Sequence, residues 1–138
     1  MNYVEVQSVK TVSKRVLIID DEPIIREVVQ NCLEDLAGWN VLTANSGNEG
    51  LTKVVEEKPD AIILDVMMPG MDGLTFLQRL RANPETQYVP VFLLTAKAEF
   101  TDPRRICSLG LAGALAKPFD PYELIEKIAT AFGWTWES

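Results

Sequence analysis

Five times along this chain a short run of β-branched and aliphatic residues is followed by a stretch whose apolar residues recur at helical spacing. This alternation constrains the fold more than any other feature. Strands separated by amphipathic helices pair in parallel and need helices on both faces of the sheet, and right-handed crossovers leave few topologies. The strand candidates are Val16–Ile19, Trp39–Ala44, Ala61–Asp65, Val89–Thr95 and the short Ala114–Ala116. Between the first two, Ile24, Ile25, Val28, Val29, Cys32, Leu33 and Leu36 share one helical stripe, with Pro23 at its start and Gly38 at its end.

The remaining helices carry their own start signals. Ser46-Gly47-Asn48-Glu49 is a capping box opening a helix to about Glu57. Asp72 is placed to cap a helix lined by Leu74, Leu77 and Leu80, and Pro103 enters another over about Asp102–Leu109. Asp120-Pro121-Tyr122-Glu123 supplies an acceptor, an N1 proline and an N3 glutamate ahead of the Leu124, Ile125, Ile128 and Phe132 stripe. Residues 1–13 read as an extension before the domain, 14–133 as the domain itself and 134–138 as a tail. Trp134 and Trp136 lie in that tail, free to dock on the body or on a partner.

Composition removes whole classes of chemistry. The 138 residues contain no histidine, which excludes Ser-His-Asp and Cys-His nucleophilic sites and most zinc sites. A net charge of −7 argues against direct nucleic-acid binding, where phosphate contacts supply most of the affinity. The apolar runs are far short of the roughly 20 residues needed to span a bilayer, and the N-terminus lacks the pattern of a signal peptide, so a cytoplasmic location and no membrane contact are expected. Cys32 and Cys107 both fall in helical patterns and are expected to be buried, inert thiols.

What remains is a set of polar residues at the C-terminal ends of the apolar strands. The first strand ends in Asp20-Asp21, the third in Asp65 and the fourth in Thr95, and the fifth is followed by Lys117; the second ends in plain Ala44. In an open parallel sheet this rim is where ligands bind. Each residue alone has an ordinary role as a cap, turn former, strand residue or surface lysine. Together, three carboxylates repel one another and call for a hard divalent cation with oxygen ligands, while a hydroxyl and an ammonium complete a cradle for a phosphoryl group. A carboxylate can then attack phosphorus.

The ordered motifs resemble the receiver domain of two-component response regulators. The acidic pair is Asp20-Asp21. The phosphoacceptor and its loop run Asp65-Val66-Met67-Met68-Pro69-Gly70-Met71-Asp72-Gly73. Thr95-Ala96 and Lys117-Pro118-Phe119 complete the set, over about residues 14–133. The resemblance implies a flavodoxin-like doubly wound five-stranded parallel sheet of order 2-1-3-4-5. It implies phosphorylation of Asp65 aided by Thr95 and Lys117, and a magnesium ion (Mg2+) at Asp21, Asp65 and the backbone carbonyl of Met67, with Asp20 nearby. It also implies a cis Lys117–Pro118 bond, and a histidine kinase or histidine phosphotransfer protein as donor. Such a module catalyses its own phosphorylation and dephosphorylation and is not an enzyme with a separate substrate.

One position departs from the family. Where relatives carry an aromatic residue three positions before the lysine, this chain has Ala114. Three rival readings are weaker. An interaction adaptor with a vestigial site is opposed by the intact Asp21, Asp65, Thr95 and Lys117. A haloacid-dehalogenase-type phosphatase needs a second Asp where Met67 stands. A nucleotide-binding domain needs a glycine-rich phosphate loop that is missing here.

Overall fold

The computed structural model describes residues 14–136. The expected extension over residues 1–13 lies outside the described residues, as do the last two positions of the tail. Five parallel strands form one sheet in the order β2-β1-β3-β4-β5. They are β1 (Arg15–Ile19), β2 (Asn40–Ala44), β3 (Ala61–Leu64), β4 (Val91–Thr95) and β5 (Gly113–Ala116). The helices are α1 (Pro23–Asn31), α2 (Gly47–Glu57), α3 (Gly73–Ala82), α4 (Pro103–Ser108) and α5 (Pro121–Phe132). The expected order and class hold, with β2 and β4 starting slightly later than the apolar runs suggest.

The two faces of the sheet are covered by different helices. Residues of alternating parity on each strand point to opposite faces, so Leu17, Ile19, Ile62, Leu64, Val91 and Leu93 pack under α2, α3 and α4. Val16, Ile18, Ile63, Phe92 and Leu94 pack under α1 and α5, against Val29, Leu124, Ile125 and Ile128. Burial on both faces explains why β1, β3 and β4 read as continuous apolar runs. Each fully buried aliphatic side chain there contributes about 1.5–3 kcal/mol relative to exposure.

The caps form as read. Ser46 accepts from Glu49 N at 3.1 Å, Asp72 from Thr75 N at 2.8 Å and Asp120 from Tyr122 N at 2.9 Å. Three features differ from expectation. The first helix does not stay regular to Gly38: its last turn widens into a π-helical segment, Cys32–Leu36. The fourth helix is cut to six residues, preceded by a 3-10 turn at Ala98–Thr101. Because α4 is so short and buries none of its residues fully, Cys107 is exposed, contrary to the burial expected of it, whereas Cys32 is buried.

The tail docks on the body. Trp134 meets Trp39 edge-to-face with ring centroids 5.1 Å apart and lies 4.9 Å from Phe132, and its backbone N–H donates to the Ala129 carbonyl at 2.8 Å. Trp136 turns to Tyr122, 6.5 Å between centroids. Among the described residues no helix is long and apolar enough to cross a membrane.

Candidate functional site

Parallel strands expose their last backbone and side-chain groups at one rim, so whatever follows β1, β3, β4 and β5 is brought together there. Asp20 and Asp65 follow the two central strands and are 3% and 5% exposed, while Asp21 is half-buried. Oxygens of the three carboxylates lie within 4.8 Å of one another. The elements that hold them are specific. Asp20 Oδ1 accepts from Glu22 N at 2.9 Å, and the Asp20 carbonyl accepts from the Arg26 guanidinium at 2.7 Å, which fixes the turn into α1. Asp65 Oδ1 accepts from Met67 N at 3.1 Å.

The loop after Asp65 is shaped by glycine. Gly70 has a φ of +79°, a conformation that favours glycine. Gly73, the first residue of α3, lies so close to the end of β3 that a Cβ would meet the Asp65 carbonyl oxygen at 2.7 Å. The Met-Pro-Gly-x-Asp-Gly sequence therefore packs the start of α3 directly onto the backbone of the candidate phosphoacceptor.

Lys117 reaches this cluster from the end of β5. Its Nζ donates to Asp20 Oδ2 at 2.8 Å and to Asp65 Oδ2 at 3.4 Å, and also to Glu22 Oε1 at 3.4 Å. Its backbone N–H donates to the Thr95 carbonyl at 2.8 Å, so β4 and β5 hold the lysine and the threonine in one frame. The Lys117–Pro118 peptide bond is cis. Thr95 is fully buried, and its hydroxyl accepts from Lys97 N at 3.1 Å, within its own loop.

Electrostatics follow from burial and from these partners. Burial pushes the Asp65 carboxyl above its usual range; the Met67 N–H and the Lys117 charge pull the other way without cancelling it. For Lys117, burial alone would lower the ammonium, but the hydrogen bond to Asp20 and the charges of Asp20, Asp65 and Glu22 outweigh it, so it is held above the ordinary lysine value. Two buried acids and one ammonium leave net negative charge at the rim. An all-oxygen donor set with that surplus suits a hard divalent cation.

The sequence-stated residues Asp20, Asp21, Asp65 and Lys117 are thus brought into one cluster, with the Met67 N–H bonded to Asp65 and Thr95 framing Lys117 through the backbone. Glu22 was not singled out by the sequence. The only sign of it was its position after the acidic pair and before Pro23, which reads equally well as a first-turn acid.

Comparison with known proteins agrees with this geometry. The response regulator receiver domain model matches residues 16–129. The chain is 40% identical over 114 residues to the DNA-binding dual master transcriptional regulator RpaA of Synechocystis, covering 83% of this chain and 47% of that protein. It is 37% identical over 117 residues to the phosphate regulon transcriptional regulatory protein PhoB of Pseudomonas aeruginosa, covering 85% and 51%. The chain thus spans about half the length of these curated relatives. The Vibrio cholerae chemotaxis protein CheY4 superposes with a TM-score of 0.78 at 33% identity, over 87% of this chain and 99% of that one. With matching motifs, strand order and rim, the chain belongs to the response regulator receiver domain family.

Proposed function

We propose that this chain is a phosphoacceptor signalling module, with the receiver unit at residues 14–133, that takes a phosphoryl group onto Asp65. The observation that carries the reading is the Lys117 ammonium lying within hydrogen-bond reach of both buried carboxylates, Asp20 at 2.8 Å and Asp65 at 3.4 Å.

An Asp65 carboxylate oxygen attacks phosphorus of a phosphohistidine. The new O–P bond forms as the P–N bond breaks, and the imidazole of the donor leaves with the electron pair. Negative charge on the transferring oxygens is met by Lys117, which shifts one N–H from its carboxylate partners, and by the Thr95 hydroxyl, which turns from its own loop to donate. Hydrolysis reverses the modification: water attacks phosphorus and the Asp65 carboxylate departs. Asp20, Asp21, Asp65 and the Met67 carbonyl would hold Mg2+, which supplies positive charge at the phosphoryl oxygens when bound. The chain has no histidine of its own, so the donor is a separate phosphohistidine, of a histidine kinase or a histidine phosphotransfer protein. The acidic balance fits cytoplasmic output through protein contacts of this domain and not through its own grip on DNA.

The test is direct. Acetyl phosphate with Mg2+ is expected to add one phosphoryl group by intact mass, and Asp65→Asn to abolish the addition. Equal labelling of that variant would move the acceptor elsewhere.

A further inference from the structure

Lys117 is shared among more carboxylates than the chemistry requires. An ammonium has three N–H donors, and here they face three acids: Asp20, Asp65 and Glu22. Two of these are buried members of the cluster, at 4% and 5% side-chain exposure, whereas the Glu22 side chain is 59% exposed. Glu22 heads α1 as its N-cap, yet its side chain makes no capping bond, so the carboxylate is free of any duty to the helix. Its backbone is nevertheless pinned, through Glu22 N to Asp20 Oδ1 at 2.9 Å, which aims the side chain over the lysine.

We propose that Glu22 is a positioning residue that competes with the phosphoacceptor for Lys117, so that a group arriving on Asp65 must draw the lysine's third N–H away from Glu22. The inference rests on the phosphoacceptor reading of Asp65. When a phosphoryl group arrives, Lys117 needs one N–H for a new anionic oxygen. Asp20 holds its N–H at the shorter distance; Asp65 and Glu22 both lie at 3.4 Å, but the Asp65 side chain is 5% exposed and the Glu22 side chain 59%, so the bond that yields is the one to Glu22, open to water. Glu22 therefore stabilises the unmodified state relative to the modified one. Its removal favours the modified state without touching any group that reacts.

Beryllofluoride, which coordinates a carboxylate oxygen in place of a phosphoryl group, provides the equilibrium test. Calorimetric titration of the full chain in saturating Mg2+ is expected to show Glu22→Gln binding on the order of two- to fivefold more tightly than the parent, the range of an exposed ion pair. Glu22→Ala is expected to move in the same direction. Glu85→Gln, which removes an equal charge from the α3–β4 loop at the opposite end of the sheet, is expected to bind as the parent does. The Lys117 15Nζ resonance of the unliganded protein is expected to shift in Glu22→Gln and not in Glu85→Gln, a signature that a merely structural role would not give. Unchanged or weaker binding by both Glu22 variants would overturn the proposal, as would an equal gain in Glu85→Gln. The Asp65→Asn arm keeps the two levels apart: tight binding there would remove the phosphoacceptor assignment, whereas no binding there with no gain at Glu22 would remove this inference alone.

Discussion

Strands β3 and β5 are both four residues long and both lie parallel in the same sheet, yet they are built to different standards. Every residue of β3 is buried, and its exit carries Asp65. Every residue of β5 is only half-buried, and its exit carries Lys117. β3 has a strand on each side and helices on each face. β5 is the edge, flanked by the six-residue α4, and Gly113 and Ala114 leave beside it a cavity of about 480 Å³ lined also by Phe92, Ile106 and Thr130. The difference teaches where precision is needed. The proposed phosphoacceptor sits against a dry, close-packed support, whereas the lysine is carried on a thinner edge.

The largest effect that can break this comparison is on stability. Ile63→Ala in β3 is expected to cost about 3–5 kcal/mol and Leu115→Ala in β5 about 1–2 kcal/mol, because a half-buried site loses less transfer energy and leaves a smaller cavity. Equal losses in urea unfolding would show that the edge is packed as tightly as the centre.

The next effect sharpens the chemistry of the rim. Saturating Mg2+ is expected to stabilise the protein by about 1–3 kcal/mol through linkage, read as a raised melting temperature, and Asp21→Ala to lose most of that gain. A full response in the variant would place the cation away from the β1–β3 end.

A smaller effect concerns pH. Because the Asp65 carboxyl is raised by burial, the folded state holds this proton more tightly than the unfolded chain does. Its contribution to stability therefore falls as pH rises from the ordinary value of 3.8 through the raised one. Asp65→Asn is expected to be more stable than the parent at neutral pH without Mg2+, with the gap closing as pH is lowered toward 3.8. For Lys117 the direction is the same, at higher pH: its contribution is present below the ordinary 10.5 and lost as pH rises through the raised folded value. A gap that widened in acid would contradict burial as the dominant influence on Asp65.

The subtlest effect is the response to modification. Ala114 carries only a methyl group, which cannot swing into space vacated by Thr95, so movement is expected to pass through the backbone after β4. Amide exchange with beryllofluoride is expected to change most over residues 95–105 and little over 112–116. The reverse pattern would make the β5 edge the element that moves.

Much of this architecture was legible in the sequence because burial on both faces leaves an unbroken apolar run, and the runs of β1, β3 and β4 each lead straight to a polar residue, Asp20, Asp65 and Thr95. Asp20, Asp21, Asp65 and Lys117 could be brought to one rim from strand ends alone. What stayed hidden depends on helix length and side-chain reach. The pattern around Cys107 looked helical, but a helix of six residues gives little cover, so its thiol faces water. The widened turn at Cys32–Leu36 keeps the apolar stripe and so leaves no periodic trace. Glu22 was indistinguishable from any first-turn acid until its distance to Lys117 was known. The docking of Trp134 depended on Trp39, 95 positions earlier, which no local pattern connects.

That aromatic contact has a practical consequence. Trp39 precedes β2 and Trp134 follows α5, so two of the three indoles belong to the end of the sheet where strands begin, while the third, Trp136, lies against Tyr122 in the first turn of α5. Intrinsic fluorescence of this protein is therefore a gauge of the seam between the tail and the body. It will brighten or dim as that seam opens.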